Sequence, residues 1–329
     1  MKIYKTTIVF IIINILLITG IILVLFPLKN SIINSLGNSK LVYALYNDDD
    51  IWQKSVKINK TSCDLDVKEI KNEENSISEY EKAIITKTDG NENYKLINLK
   101  VDGMAAYLAV IYDPSTIELI HSKKFNTGNS QETIMSMCKR YGGTVCINGG
   151  KFRDYGVGSD IPKGYLIDDG KVIWPADGKD TSKGSIIGFT KDGKLKLLET
   201  TAKEAIEEEG ILEALQFGPF LIQDGKEIKL DDYEIGGYLK ASRVAIAQRE
   251  DGVLLFLVAD GVHGAGATIK SMIKTLLQYG AVTAANLDGG ASSQMVINGK
   301  LINKPVNVFG ESLAPGRKVV SGFGVVFGK

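Results

Sequence analysis

The chain has 329 residues, with 39 Lys and Arg against 39 Asp and Glu, and 44% hydrophobic residues. This length suffices for one large domain or two modest ones with a sizeable core. The charge balance excludes a generic nucleic-acid binder, because no basic excess is present to displace counterions from phosphates. A charged content of 24% and many large apolar residues exclude disorder of the whole chain. Two His, and three Cys without a CxxC spacing, argue against a polyhistidine metal centre and a structural zinc site.

The first element is an apolar segment, residues 8–26, in which only three of 19 residues are not strongly apolar. As a helix rising about 1.5 Å per residue, it crosses most of a hydrocarbon core of about 30 Å. Residues 27–30 show no small-residue cleavage pattern, which favours an uncleaved membrane anchor over a cleaved signal peptide. Lys2 and Lys5 favour a cytoplasmic N-terminus. We therefore predict a single-pass protein of the cell membrane whose folded part is extracellular.

A strongly charged stretch follows the predicted anchor: between residues 47 and 95, 20 of 49 residues are charged. We divide the chain into a membrane anchor at 1–28, a juxtamembrane stalk at 29–79 and a folded domain at 80–329. The last part of the charged stretch is expected to form the first strand of that domain. A polar domain surface explains the second half of the stretch equally well.

The folded part carries signals for antiparallel strands. Asp-Gly and Asn-Gly pairs supply the positive φ angles that tight hairpins need, and five such pairs separate apolar runs. These pairs are 169–170, 192–193, 224–225, 251–252 and 298–299. Five hairpins are therefore predicted.

Helices are fewer than strands in this pattern. Three capped or amphipathic segments, each followed by a glycine, predict helices at 134–141, 201–210 and 268–279. The predicted fold class is therefore α+β, with a largely antiparallel or mixed sheet and a few packed helices, preceded by one transmembrane helix.

One candidate site follows a buried strand predicted at residues 253–259. The strand ends at Asp260, and a glycine-rich loop then leads directly into the helix at Thr268. Backbone N–H groups and the positive end of the helix dipole bind anions at a helix N-terminus. The backbone from Gly266 to Thr268 is therefore a candidate anion site, and a merely tight connection is the alternative.

A second loop of small residues follows another predicted strand and contains Asn286, Asp288 and Gly289. Small residues let a substrate approach the backbone closely. The structural alternative is a turn capped by the Asp288 side chain. A serine hydrolase is disfavoured, because no G-x-S-x-G elbow is present and His263 fits a loop side chain better than a base.

Two further features belong with these loops. Residues 148–152, Asn-Gly-Gly-Lys-Phe, follow a strand predicted at 144–147. Arg243 opens an apolar strand and is one of only five Arg in the chain. A planar guanidinium at that position suits bidentate recognition of a phosphate or a carboxylate.

Taken in order, six stretches resemble the phosphodiester glycosidase family. They are Asn-Gly-Gly-Lys-Phe at 148–152, Phe-Gly-Pro-Phe at 217–220, Arg-Val-Ala-Ile at 243–246, Val-Ala-Asp-Gly at 258–261, Gly-Ala-Thr at 266–268 and Asn-Leu-Asp-Gly-Gly-Ala-Ser-Ser at 286–293. Their combination is specific and covers roughly residues 80 to 329. Ser271 stands where the family usually has an acidic residue, and Ala291 where it has Gly or Ser. These departures concern the identity of the substrate rather than the fold.

The resemblance implies that the protein hydrolyses a sugar-1-phosphodiester and releases the sugar, which is of the N-acetylglucosamine type. The implied context is exopolysaccharide or cell-wall glycopolymer metabolism. It implies that Asp288 and Asp260 are the catalytic carboxylates, with their division of labour open. Other groups must hold the departing phosphate or the sugar. The implied substrate-binding residues are Arg243 and the backbone at Gly266 and Thr268 for the phosphate, Asn148 and Asn286 for the sugar, and Gly149, Gly289, Ser292 and Ser293.

The expected partners are a glycan or glycopolymer phosphodiester and, through the N-terminal helix, the membrane, with no nucleic acid. No cofactor is expected to be required, and a structural calcium ion is an open option. Two other classes stay open: a non-catalytic cell-wall glycan-binding ectodomain, and a calcium-stabilised structural ectodomain that uses the Asp-Gly loops as oxygen ligands. Cys138, on a helix face, and Cys146, in a strand, are predicted to be buried thiols rather than a disulfide.

The predicted topology is tested on intact cells. We expect protease added from outside to degrade the folded domain, because one apolar segment near the N-terminus places everything after it outside. Immunoblotting of the domain measures its loss, with a cytoplasmic protein as the control for intact membranes. Survival of the domain until the membrane is broken would contradict the topology.

Overall fold

The computed structural model describes most of the chain beyond the predicted stalk. The described residues are 77–87, 92–128, 130–153, 160–175, 181–230 and 239–327. All of them lie in one compact unit, Thr61–Lys329. The predicted anchor, and all but the end of the predicted stalk, therefore lie outside the described residues. Among the helices described, none is long and apolar enough to cross a membrane.

These ranges contain four α-helices and seventeen strands. The helices are α1 Glu79–Ile85, α2 Ile134–Tyr141, α3 Ala202–Glu207 and α4 Ile269–Gln278. The strands are β1 Tyr94–Val101, β2 Met104–Ile111, β3 Ile117–His121, β4 Val145–Asn148, β5 Leu166–Asp168, β6 Lys171–Trp174, β7 Gly184–Thr190, β8 Leu195–Thr200, β9 Ile211–Gln216, β10 Phe220–Gln223, β11 Lys226–Glu227, β12 Arg243–Arg249, β13 Leu254–Ala259, β14 Ala281–Leu287, β15 Met295–Ile297, β16 Lys300–Leu301 and β17 Ser321–Val325.

The strands form three sheets, in which the described pairings are all antiparallel. The central sheet has the order β1-β2-β13-β12-β14-β10-β11. The second sheet has the order β16-β15-β4-β17-β3, and the third has the order β6-β5-β9-β7-β8. The predicted α+β class, with antiparallel sheets and a few helices, is therefore confirmed for the described part of the chain.

The central sheet is covered on both faces. One face packs against α1 and α4, and the other packs against the second and third sheets. Along β12, Ala245 and Ala247 enter the first of these cores, whereas Val244 and Ile246 enter the second. A strand buried on both sides needs apolar residues at every position, which explains the continuous apolar runs in β12 and β13. Each large aliphatic side chain buried in this way contributes roughly 1.5–3 kcal/mol.

All five predicted hairpins are present. Each pair connects adjacent antiparallel strands: β5 to β6, β7 to β8, β10 to β11, β12 to β13 and β15 to β16. A sixth tight turn, Asp102-Gly103, connects β1 to β2, with φ angles of 51° and 80°. This pair was not among the predicted hairpins, although its turn chemistry is the same.

The three predicted helices are also confirmed, and a fourth was not predicted. Helix α2 ends at Gly142, which has the left-handed conformation, and Thr201 and Glu204 form the capping box of α3. The first strand, β1, begins at Tyr94, within the charged stretch where it was predicted. Helix α1 precedes it and begins after Ser78, whose hydroxyl accepts a hydrogen bond from the backbone of Glu81.

Helix α1 is tied to the far end of β12. Arg249, only 9% exposed, forms ion pairs with Glu81 of α1 and with Asp251. The rings of Tyr80 and Tyr279 meet edge to face at 5.1 Å between centroids. Helix α1 thus packs on the core of the folded domain.

The prediction of two free thiols was wrong: Cys138 of α2 and Cys146 of β4 form a disulfide. The chain turns through Gly142 and Gly143, so that α2 folds back on β4 and brings the two sulfurs together. A Cβ atom at Gly143 would lie 2.6 Å from the Cys146 sulfur, so this glycine leaves the space that the bridge occupies. The disulfide therefore clamps α2 onto the strand that ends at Asn148.

Reduction of this disulfide should lower the stability of the domain. A crosslink between residues eight apart removes unfolded-state entropy worth about 2.5 kcal/mol. Urea unfolding with and without a reductant measures the change in the free energy of unfolding. The Cys138→Ala/Cys146→Ala double variant is the control and should not respond to the reductant. An unchanged unfolding midpoint in the reduced wild type would contradict this role.

Glu213 of β9 joins the second and third sheets. Its carboxylate oxygens accept hydrogen bonds from the backbone N–H of Leu119 at 2.8 Å and of Asp169 at 3.1 Å. Burial of this group, together with the nearby charges of Asp168 and Glu118, raises the pKa of Glu213 to about 7, although the two N–H donors act in the opposite direction.

We expect stability to fall as the pH rises from about 4.3 to about 7. Folded Glu213 keeps its proton in a range where the unfolded chain, with a carboxyl pKa of about 4.3, has lost it. One such group contributes a slope of up to about 1.4 kcal/mol per pH unit. Urea unfolding at several pH values should give a flatter slope for Glu213→Gln, which has no proton to lose. Equal slopes for the two proteins would refute the shifted titration.

Candidate active site

The candidate site forms where three neighbouring strands of the central sheet end or begin. Strand β12 runs antiparallel to both β13 and β14, so its first residue, Arg243, lies at the edge where those two strands end. Arg243 pairs with Ala259, the residue before Asp260. Val244 pairs with Leu287, the residue before Asp288. The sheet register thus brings Arg243, Asp260 and Asp288 to one edge.

The loop that carries Asp288 is held from two sides. The Asp288 N–H donates to the carbonyl of Gly149 at 3.0 Å, and the Asn148 side chain donates to the Asp288 carbonyl at 2.6 Å. On the other side, the Gly290 N–H donates to the carbonyl of Ser242 at 2.8 Å. The backbone of the half-buried Asp288 is therefore fixed by β4 and by the start of β12.

The two asparagines predicted to hold the sugar are engaged in backbone contacts. Asn148 is 1% exposed, and its side-chain oxygen accepts from the Gln294 N–H at 2.9 Å. Asn286 donates from its side chain to the Gly218 carbonyl at 3.1 Å. Asn148 thus uses both ends of its amide to shape the loop, and Asn286 connects β14 to the 217–220 stretch.

Two glycines of the predicted site allow segments to pack closely. A Cβ atom at Gly149 would lie 2.4 Å from a methyl carbon of Leu215, and one at Gly289 would lie 2.7 Å from the carbonyl oxygen of Ser242. Atoms cannot approach so closely without displacement. Gly289 therefore lets the Asp288 loop pack against the backbone before β12, and Gly149 leaves the space that Leu215 of β9 occupies.

Arg243 is a half-buried cation at the sheet edge where β13 and β14 end. Its guanidinium donates to the carbonyl oxygens of Leu239 at 2.7 Å and Ala267 at 3.4 Å. Burial lowers the pKa of Arg243 from its usual value, but a guanidinium stays charged at neutral pH. Within the described ranges its partners are these carbonyl groups and no carboxylate, so its charge favours an anion.

Asp260 lies inside the protein. It has no exposed surface, and its oxygens accept from the Asn303 side chain at 3.1 Å and from the Lys304 N–H at 3.0 Å and 3.2 Å. Burial raises the pKa of Asp260 to about 6, although these donors and the Tyr107 hydroxyl act in the opposite direction. Asp260 therefore anchors the 303–304 segment, while Asp288 is the partly exposed carboxylate of the pair.

A side chain fills the position where an anion was predicted to bind α4. The carboxylate of Asp102 accepts from the Thr268 N–H at 3.0 Å and from the Ser271 hydroxyl at 2.6 Å. Thr268 caps the helix through its hydroxyl, and a Cβ atom at Gly266 would meet the backbone of Ala241 at 2.4 Å. The helix N-terminus thus already holds an anion, supplied by the β1–β2 hairpin.

Beyond Asp288, the loop meets two residues that the sequence analysis missed. The Arg317 guanidinium lies 3.5 Å from the Ser292 hydroxyl and 5.2 Å from the centre of the Phe152 ring. Gln294 is fully buried directly after Ser293, whose hydroxyl has no hydrogen-bond partner among the described residues. The scarcity of Arg, which singled out Arg243, applies equally to Arg317 and is the signal that could have found it.

The described residues contain no group of three or more His, Cys, Asp or Glu side chains that could hold a metal ion. Four of the Asp-Gly pairs lie in separate hairpin turns, whereas Asp260-Gly261 and Asp288-Gly289 follow the ends of β13 and β14.

Comparison with known proteins identifies the family of the chain. The family model described as phosphodiester glycosidase matches residues 141–326, more than half of the chain. The chain belongs to the phosphodiester glycosidase family. The matched region contains all the predicted site residues, from Asn148 to Ser293.

Two relatives each match about half of this chain. The chain is 32% identical over 189 residues to the SPbeta prophage-derived uncharacterized protein YomE of Bacillus subtilis (strain 168). This match covers 55% of the chain and 28% of that protein. The chain is 26% identical over 176 residues to the N-acetylglucosamine-1-phosphodiester alpha-N-acetylglucosaminidase of Mus musculus, which covers 49% of this chain and 33% of that enzyme. The chain thus matches about a third of the length of these relatives.

A solved structure shares the fold. The catalytic domain of zebrafish N-acetylglucosamine-1-phosphodiester alpha-N-acetylglucosaminidase, auto-inhibited by its pro-peptide, superimposes with a TM-score of 0.59. The match covers 73% of this chain and 85% of that domain at 18% sequence identity. The same arrangement of sheets is therefore built from largely different residues.

Replacement of Thr268 distinguishes a helix cap from an anion site. We expect Thr268→Ala to lower the free energy of unfolding by about 1 kcal/mol, because the cap of α4 is lost. The KM for a sugar-1-phosphodiester should change little, since the hydroxyl points to Ser271 and Asp102. Thermal unfolding and steady-state kinetics measure the two effects. A large rise in KM with unchanged stability would restore Thr268 to the substrate site.

Proposed function

We propose that the domain hydrolyses a sugar-1-phosphodiester and releases the sugar, which is of the N-acetylglucosamine type. Membership of the phosphodiester glycosidase family supports this reaction, and the activity for which the Mus musculus relative is named supports the choice of sugar. The observation that carries the proposal is the register that sets the cation Arg243 beside the carboxylate Asp288 at adjacent strand ends.

The reaction needs a carboxylate and an anion holder side by side. Water attacks the anomeric carbon, the bond from that carbon to the phosphate oxygen breaks, and its electron pair stays on the phosphate. Because a phosphomonoester is a good leaving group, little general-acid help is needed. The carboxylate activates the water or stabilises the oxocarbenium-like centre, and a fixed cation stabilises the departing phosphate.

We assign the chemistry to Asp288 and the phosphate contact to Arg243. Asp288 is half-buried at the strand end, whereas the Asp260 carboxylate is enclosed by Asn303, Lys304 and Tyr107. Arg243 presents a partly desolvated charge at the same edge, and low local dielectric strengthens its attraction for phosphate. Asp260 then contributes to the site indirectly, because it holds the 303–304 segment in place.

The remaining site residues have supporting roles in this proposal. Asn286, Ser292, Ser293 and the Gly289 backbone line the loop around Asp288, and Asn148 and Gly149 fix its position. The proposed reaction requires no cofactor. The apolar segment at 8–26 supports a membrane-anchored enzyme that acts outside the cell on exopolysaccharide or cell-wall glycopolymer.

The two assignments are tested by a comparison of two variants on two substrates. We expect Arg243→Ala to lower kcat/KM on a sugar-1-phosphodiester about 10- to 100-fold, because a charge-assisted hydrogen bond is worth about 1.5–3 kcal/mol. The loss should shrink on an aryl glycoside of the same sugar, which has no phosphate to hold. Asp288→Asn keeps the size of the side chain but removes its charge, so it should reduce turnover on both substrates.

Each variant is checked for folding by circular dichroism before kinetics. Equal damage by Arg243→Ala on both substrates would refute the phosphate contact. An active Asp288→Asn enzyme would move the catalytic assignment to Asp260. Sugar binding without turnover by the wild type would instead favour a glycan-binding ectodomain.

A further inference from the structure

Gln294 is a buried polar residue directly before β15 of the second sheet. It has no part in the proposed reaction itself. It follows Ser293 and precedes Met295 of β15, and none of its surface is exposed. An amide without solvent contact destabilises the fold unless its donors and acceptor are all satisfied. The hydrogen bonds of Gln294 therefore indicate why a polar side chain is buried at this position.

The side chain of Gln294 connects three segments around the site. Its oxygen accepts from the N–H of Ile134, the first residue of α2, at 3.3 Å. Its NH2 group donates to the carbonyl of Arg317 at 2.8 Å and to that of Ser292 at 3.3 Å. The fit is close, because a Cβ atom at Gly316 would lie 2.0 Å from the Gln294 side-chain oxygen.

The backbone of Gln294 leads to Asp288 in two steps. Its N–H donates to the side-chain oxygen of Asn148 at 2.9 Å. The same Asn148 amide donates to the Asp288 carbonyl at 2.6 Å. Buried hydrogen-bond networks of this kind rigidify the groups that they connect, because each unsatisfied member is costly. The position of the Asp288 backbone therefore depends on where Gln294 sits.

We propose that Gln294 is the positioning residue of this site. Its side chain fixes the relative positions of the loop at Ser292, the Arg317 segment and the start of α2. Its backbone N–H fixes the Asn148 side chain, which in turn fixes the backbone of Asp288. Gln294 does not contact the substrate. The kinetic part of this inference rests on the proposed hydrolysis, whereas the structural part does not.

The chain offers a matched control in Gln248 of β12, which is 6% exposed. Its side-chain oxygen accepts from the Leu195 N–H at 2.7 Å, and its NH2 group donates to the carbonyls of Gly193 at 2.8 Å and Gly252 at 3.0 Å. The number and kind of side-chain hydrogen bonds equal those of Gln294. Gln248 lies near the opposite end of β12 from Arg243. Its replacement therefore tests the effect of losing such hydrogen bonds on stability, away from the candidate site.

The experiment compares Gln294→Met with Gln248→Met in the full-length protein. Methionine keeps the volume of the side chain and removes the same three hydrogen bonds at each position. We expect similar falls in unfolding temperature for the two variants. On a sugar-1-phosphodiester, kcat should fall at least about tenfold further for Gln294→Met, because small displacements of catalytic groups are costly. Its KM should change less than its kcat.

Hydrogen–deuterium exchange supplies a readout that needs no substrate. Peptides covering residues 145–150 and 286–293 should exchange faster in Gln294→Met and remain as in the wild type in Gln248→Met. If Gln294→Met does not fold, Gln294→Glu takes its place: buried against two carbonyl oxygens its carboxyl is protonated, so it keeps the acceptor and one donor and loses one hydrogen bond. Unchanged exchange in these peptides, or equal kcat for the two variants, would overturn the inference. An inactive wild type with faster exchange in Gln294→Met would refute the proposed reaction alone and support the positioning role.

Discussion

The constraint on which this structure depends is the burial of β12 within the central sheet. The strand pairs with β13 on one side and β14 on the other, and both of its faces lie in cores. Since a strand enclosed in this way tolerates few polar residues, polar groups collect where the strands end. Antiparallel pairing then places the start of β12 beside the ends of its two neighbours, and the charged residues of the site meet there.

The edge of one sheet does not make a site by itself; the second sheet completes it. Strand β4 delivers Asn148 and Gly149 to the Asp288 loop, and β15 begins directly after that loop. Helix α2 is bound to this corner twice, by the disulfide to β4 and by the hydrogen bond from Ile134 to Gln294. The backbone of Asp288 at the edge of one sheet is therefore fixed by contacts from another, and its position depends on how the two sheets pack.

Burial also divides the charged residues by role. Asp260 is buried and its oxygens accept from Asn303 and Lys304, whereas Asp102 is exposed and one of its oxygens caps the start of α4. Arg243 and Asp288 are only half-buried and lie at the accessible edge. Desolvation raises the free energy of the buried and half-buried charges among them. Internal donors offset that cost for Asp260, and the carbonyl oxygens of Leu239 and Ala267 offset part of it for Arg243.

The sequence by itself determined the elements and the loops, because turn chemistry, helix caps and apolar periodicity act over a few residues. It predicted five hairpins, three helices, the α+β class and the family, and it singled out Arg243 and Asp288. Tertiary structure alone decided what depends on residues far apart in the chain. That includes the Cys138–Cys146 bridge, the capping of α4 by Asp102, and the burial of Asp260 and Asn148. A local pattern can show that a carboxylate ends a strand, but only packing decides whether water or another segment covers it.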